Sequence, residues 1–65
     1  MTKNAVKAVR KKSGLSQIDF ALTYGFNPRT LQQWEQGRAK PERAVLAYLK
    51  VIEKNPEAVQ AALRG

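Results

Sequence analysis

Four side chains between positions 29 and 36 carry the most specific chemistry in this sequence: Arg29, Gln32, Gln33 and Gln36. An arginine can make paired hydrogen bonds to a guanine edge, and a glutamine to an adenine edge. On a helical wheel turning about 100° per residue from Pro28, the four fall on one arc, from about 40° to about 140°. Leu31 and Trp34 fall on the other side, at ~300° and ~240°, with Thr30 at ~200°. A helix over residues 28–36 is about 13.5 Å long and fits across a major groove about 12 Å wide. Trp34 lies on the inward arc, so its indole is expected in the core and not on a base. The outward arc has the composition of a surface that reads nucleic acid.

Other chemistries lack their residues. The chain has no histidine, no cysteine and only five carboxylates, which excludes a disulfide framework and leaves no metal cluster. The same absences leave no nucleophile paired with a base, so an enzyme is not expected, and neither is a cofactor. Twelve Lys and Arg against five Asp and Glu give a net charge of +7 on 65 residues. Eight of the twelve cations, but only Asp19 and Glu35 of the acids, fall in residues 1–40. The first two-thirds is therefore the part expected to meet an anion, and the last third to give support or partner contact. The longest apolar run, Ala44 to Leu49, is far short of the ~20 residues needed to span a bilayer. No apolar stretch follows Lys3 and Lys7, so no secretory signal is read there. A single domain over residues 1–65, soluble and cytoplasmic, is the expectation.

A reading helix needs a scaffold, and glycine and proline mark it out. Gly14, Gly25, Gly37 and Gly65 fall where helices should stop. Asn27-Pro28 and Asn55-Pro56 each place a capping side chain before a proline at the first helical position, and Pro41 opens a helix in the same way. Ser16 with Asp19 three residues on forms a capping pair. The expected helices are 4–12, 17–24, 28–36, 41–54 and 56–64, with no strand: an all-α class. Their apolar faces are Val6 and Val9, then Ile18, Ala21 and Leu22, then Leu31 and Trp34, then Val45, Leu49 and Ile52, and last Val59 and Leu63. Only Gly25, Phe26 and Asn27 join helices two and three, which suits a helix-turn-helix. Ala21 supplies the small side chain at the crossing, and Gly25 the residue free to take positive φ. Tyr24 and Tyr48 are expected to be half-buried, and Lys11 and Lys12 to be a solvated helix end or phosphate neighbours.

Gly14-Leu15-Ser16-Gln17, Ala21, Gly25 and the run Arg29 to Gly37 make the chain resemble the lambda-repressor-like (Cro/repressor, XRE-type) helix-turn-helix proteins. The resemblance covers nearly all 65 residues and implies a transcriptional regulator, a repressor of bacterial or phage origin associated with the nucleoid. It implies base or nearby phosphate contacts from Asn27 to Gln33, and phosphate contacts from Gln17, Arg38, Lys40 and Arg43. Gln36 joins the base-reading set from its place on the outward arc. Pro28 stands where many relatives carry a polar base-reading residue. The resemblance also implies an ion pair between Arg10 and Glu35, expected to be partly exposed and worth ~1 kcal/mol or less. The tail from Leu49 to Val59 is similar to HigA- and MqsA-like antitoxin DNA-binding domains. That similarity implies an alternative role, a module that binds a toxin protein or another regulator.

Relatives of this type bind double-stranded DNA as two-fold pairs on half-sites about one helical turn apart. The nearly neutral last third is the candidate contact surface for a homodimer on a palindromic site. Val59 and Leu63 lie one turn apart there, with Ala62 between them. The competing role for Val59 and Leu63 is to close the core against the fourth helix.

Overall fold

The structure, a computed structural model, describes residues 5–65; Lys3 and the expected first helical residue, Asn4, lie outside the described residues. Five helices follow one another: α1 (Ala5–Ser13), α2 (Gln17–Tyr24), α3 (Pro28–Glu35), α4 (Arg43–Lys54) and α5 (Pro56–Arg64). Among the described residues there is no strand.

Local chemistry starts and stops α2 and α3. The Ser16 hydroxyl oxygen accepts the Asp19 N–H at 3.1 Å, occupying one of the donors that the first turn leaves free. Gly25 closes α2 at φ 81°. An added Cβ there would meet nothing within 4 Å, so glycine is required for its left-handed backbone and not for space. Asn27 Oδ1 accepts the N–H groups of Arg29 at 2.9 Å and Thr30 at 3.4 Å, with Pro28 in the first helical position.

Helices α1 and α3 end at Ser13 and Glu35, each one residue from the expected 12 and 36, and two larger differences fall at the start of α4 and at the cap of α5. Helix α4 begins at Arg43, two residues after Pro41, because Glu42 is extended (φ −68°, ψ 164°) and its carbonyl accepts the first helical bond from Leu46 at 3.0 Å. Proline fits such an extended approach as readily as a first turn. At Asn55 the expected side-chain cap does not form. That residue ends α4 and starts α5 at once, its N–H donating to Val51 and its carbonyl accepting from Val59. The ring of Pro56 disfavours helical backbone at Asn55, which enforces the break.

The core joins all five helices through Val6, Phe20, Ala21, Tyr24, Leu31, Trp34, Leu49, Ile52 and Val59. The buried face of α2 is Phe20, Ala21 and Tyr24, not the expected Ile18, Ala21 and Leu22. Ile18 and Leu22 are 61% and 71% exposed. Both faces share Ala21, but turning the two aromatics inward buries more apolar surface. Phe26 lies at the centre of the aromatic set, 5.9 Å from Phe20, 5.6 Å from Trp34 and 5.4 Å from Tyr48 by ring centroids. Tyr24 is fully buried and not half-buried as expected, since its hydroxyl has a partner: Gln60 Nε2 donates to it at 2.9 Å. Tyr48, itself half-buried, donates its hydroxyl to the Tyr24 carbonyl at 2.8 Å. Both α4 and α5 thus hold the last residue of α2, just before the turn into α3.

Candidate nucleic-acid interface

Helix α3 is fastened by its inward side chains. Leu31 is fully buried, and Trp34 and Glu35 are buried one turn further on. That leaves Arg29, Gln32, Gln33 and Gln36 exposed together, with Asn27 exposed at the leading end. Gln36 caps the helix, its N–H donating to the Gln32 carbonyl at 3.0 Å. Asn27 divides its functions: its side-chain oxygen serves the cap, while its amide NH₂ stays on the surface. After α3 the chain doubles back. The Arg38 N–H donates to the Gln33 carbonyl at 2.9 Å, and Gly37 takes φ 76°. Arg38, Lys40 and Arg43 are all exposed along this return. The only ion pairs among the described residues use Arg10 and Lys12, so these three cations carry no internal partner.

Three helices meet at the Glu35 carboxylate. Arg10 of α1 grips it with two bonds, Nε to Oε2 at 2.7 Å and Nη2 to Oε1 at 2.9 Å. The same guanidinium donates Nη1 to the Leu15 carbonyl at 3.1 Å. Gln17, the first residue of α2, donates Nε2 to Glu35 Oε1 at 3.1 Å. The Glu35 side chain is only 3% exposed and that of Arg10 14%, so the pair lies deeper than the partly exposed one expected. Burial pushes the Glu35 carboxyl upward. The bonds from Arg10 and Gln17, with the charges of Arg10 and Lys7, outweigh burial and hold it below its usual range. The bond to Glu35 holds the Arg10 guanidinium above its ordinary value, against the opposing effect of burial.

Gln17, expected on a phosphate, therefore points one amide N–H at Glu35 and has a second to offer. Lys12 is turned away from this cluster, 4.0 Å from Glu53 on α4, while Lys11 is exposed. The expected dimer residues separate. Val59 is 7% exposed and packs in the core, which removes it from any surface role, because α5 must bury one apolar residue to dock at all. Ala62 and Leu63 stay on the surface, Leu63 being 54% exposed. With Leu22, Thr23, Gly25, Gln60 and Arg64, Leu63 lines a shallow cleft between α2 and α5. Sequence reasoning missed Leu22 as a surface residue, because Ile18 and Leu22 share the same helical spacing as Phe20 and Tyr24 and packing alone decides between them. No helix among the described residues is long and apolar enough to cross a membrane.

An α2–turn–α3 unit with an Arg/Gln arc on its second helix defines a helix-turn-helix domain. The chain belongs to the MqsA antitoxin family, described as the antitoxin component of a bacterial toxin-antitoxin system, which matches residues 1–63. It is also similar to the uncharacterized HTH-type transcriptional regulator YiaG of Escherichia coli K12, with 35% identity over 51 residues, 78% of this chain and 53% of that protein. Antitoxin HigA-2 of Vibrio cholerae is 33% identical over 52 residues, 80% of this chain and 50% of the relative. Antitoxin MqsA of Escherichia coli K12 is 33% identical over 49 residues, 75% of this chain and 37% of the relative. The chain thus spans about half the length of the first two relatives and little more than a third of the last. No solved structure matches it.

Proposed function

We propose that this chain is a sequence-specific DNA-binding regulator, a cytoplasmic repressor that reads the major groove with α3. One observation carries the reading: Arg29, Gln32, Gln33 and Gln36 are exposed side by side on a helix whose other face is locked into the core. The free cations Arg38, Lys40 and Arg43 supply the phosphate contacts, and the names of the relatives support the same class. No step is catalytic and no cofactor is required. Substitution tests the assignment. Arg29→Ala and Gln32→Ala each cost ~1–3 kcal/mol on the preferred site and much less on random duplex. Lys40→Ala weakens binding to both alike and flattens the slope of log affinity against log salt by about one. Equal losses for Arg29→Ala on both duplexes would move that side chain to a phosphate.

A single module of this size buries roughly 600–1,000 Å² of protein surface on DNA, which is thin for selecting one site. A weak homodimer on a palindromic site, closed through Ala62 and Leu63 of α5, supplies the second half-site. Leu63→Glu stays folded, because that side chain is already half exposed, and loses cooperative binding to a palindrome. Sedimentation and titration of whole and half sites check this; unchanged cooperativity would move the interface off α5. The family match favours a second role, in which the chain binds a toxin as an antitoxin module. The exposed Leu22–Leu63 cleft is one apolar surface available for it.

A further inference from the structure

The geometry points to Lys7 as a further phosphate contact, seated at the edge of the reading face where Gln32 and Gln36 lie. This rests on the DNA-binding reading above and extends that interface from α2 and α3 onto α1.

The placement follows from how α3 is held. On the α3 wheel Glu35 falls at ~340°, between buried Leu31 at ~300° and exposed Gln32 at ~40°. Whatever grips Glu35 therefore approaches along the Gln32–Gln36 edge of the outward arc. Arg10 and Gln17 are the two side chains that bond that carboxylate. On α1, counted from Ala5, buried Val6 falls at ~100°, Arg10 at ~140° and Lys7 at ~200°. Lys7 is thus one turn before Arg10 on the same side of the helix, where residues three apart are neighbours. Its charge reaches Glu35, helping to hold that carboxyl in the anionic form. Lys12, Ala5 and Ala8 lie on the other flank, which faces α4: Ala5 and Ala8 line a cleft with Leu46 and Lys50, and Lys12 meets Glu53.

The chemistry of the cluster is one-sided. The Glu35 charge is already matched by Arg10, its oxygens are taken, and it is buried. Lys7 is exposed and lies within no ion pair among the described residues, and its charge acts on the same Glu35 carboxylate that the Gln17 amide bonds. An exposed ammonium on a flexible stem fits a single phosphate oxygen charge, without base preference. A helix in the major groove has a phosphate backbone along each edge. Lys7 and Gln17 would meet the strand along the Gln32–Gln36 edge.

The test uses the full chain, a duplex selected from a random library for tightest binding, and a scrambled duplex of equal length. Lys7→Gln weakens binding to both duplexes by the same factor and flattens the salt slope by about 0.9. Across roughly 50 to 200 mM salt, that narrows the loss of affinity about threefold. Lys7→Arg keeps the slope, and Lys12→Gln, on the α4 flank of the same helix, leaves it at the wild-type value. A Lys7→Gln protein with the wild-type slope overturns the inference while the DNA-reading assignment stands. A loss of affinity with no change of slope would mean that Lys7 acts only by steadying Glu35, and also overturns it. A loss confined to the selected duplex would place Lys7 on a base and reject the phosphate contact. Wild-type protein that binds neither duplex fails at the earlier step, the reading of α3 itself.

Discussion

Trp34→Ala brings the domain to the edge of unfolding at room temperature. Truncating a buried tryptophan costs about 3–5 kcal/mol, while a domain of 65 residues holds only about 3–10 kcal/mol in all. The indole is 9% exposed and stands edge-on to Phe26, at 5.6 Å and 87°. Phe26 in turn packs on Phe20 and Tyr48, so the cavity opens beside the ring that links α2 to α4. Edge-to-face pairs add ~0.5–1.5 kcal/mol beyond the area they bury, and that contribution is lost as well. Helix α3 then keeps Leu31 as its only fully buried apolar anchor. Denaturant titration shows the effect as a lower midpoint at unchanged slope. Trp34→Phe retains part of the packing and falls between the two. DNA affinity in Trp34→Ala drops only in proportion to the unfolded fraction and recovers where the protein is folded. A variant as stable as wild type, binding with altered sequence preference, would put the indole on a base.

Much of this was legible because it is local. Gly14, Gly25 and Gly37 stand at φ 79°, 81° and 76°, and a lone glycine between helical patterns announces that conformation from the sequence. The Ser16 and Asn27 caps, Ala21 at the crossing, and the division of α3 into Leu31 and Trp34 inside with Arg29 and Gln32 outside are of the same kind. Long-range packing decided the rest. Whether α2 turns Phe20 and Tyr24 or Ile18 and Leu22 inward depends on Phe26, Tyr48 and Gln60, residues 2 to 40 positions away along the chain. Val59 is core because α5 folds back on its neighbours, which a stripe of two apolar residues does not reveal. The depth of Glu35 was equally hidden: as a glutamate on a short helix it reads as surface until Arg10 and Gln17 are placed over it.

Arg10→Ala is the second large loss, and its pH dependence identifies the cause. Removing one partner of a buried pair leaves the other charge uncompensated, at about 3–5 kcal/mol; with Arg10 still 14% exposed, the lower end applies. Because the folded Glu35 carboxyl lies below its unfolded value of about 4.3, the pair contributes stability that is fully present above that pH. That stability is lost as the pH falls through the folded value. In Arg10→Ala burial governs the carboxyl, its value rises, and the acid-side loss disappears: the variant is far weaker at pH 7 and approaches wild type in acid. Urea titrations at a series of pH values show whether the two curves converge. Parallel curves would mean that Arg10 stabilises by packing alone. The double variant Arg10→Met with Glu35→Leu separates stability from orientation. Replacing a buried pair by apolar groups of similar volume is often neutral or stabilising, so most of the loss at pH 7 returns. The bidentate grip that ties α1 and the start of α2 to the end of α3 does not return, and with it goes the fixed angle of the reading face. A stable double variant with weakened binding to its preferred duplex is the expected result; full affinity would show that core packing alone aims α3.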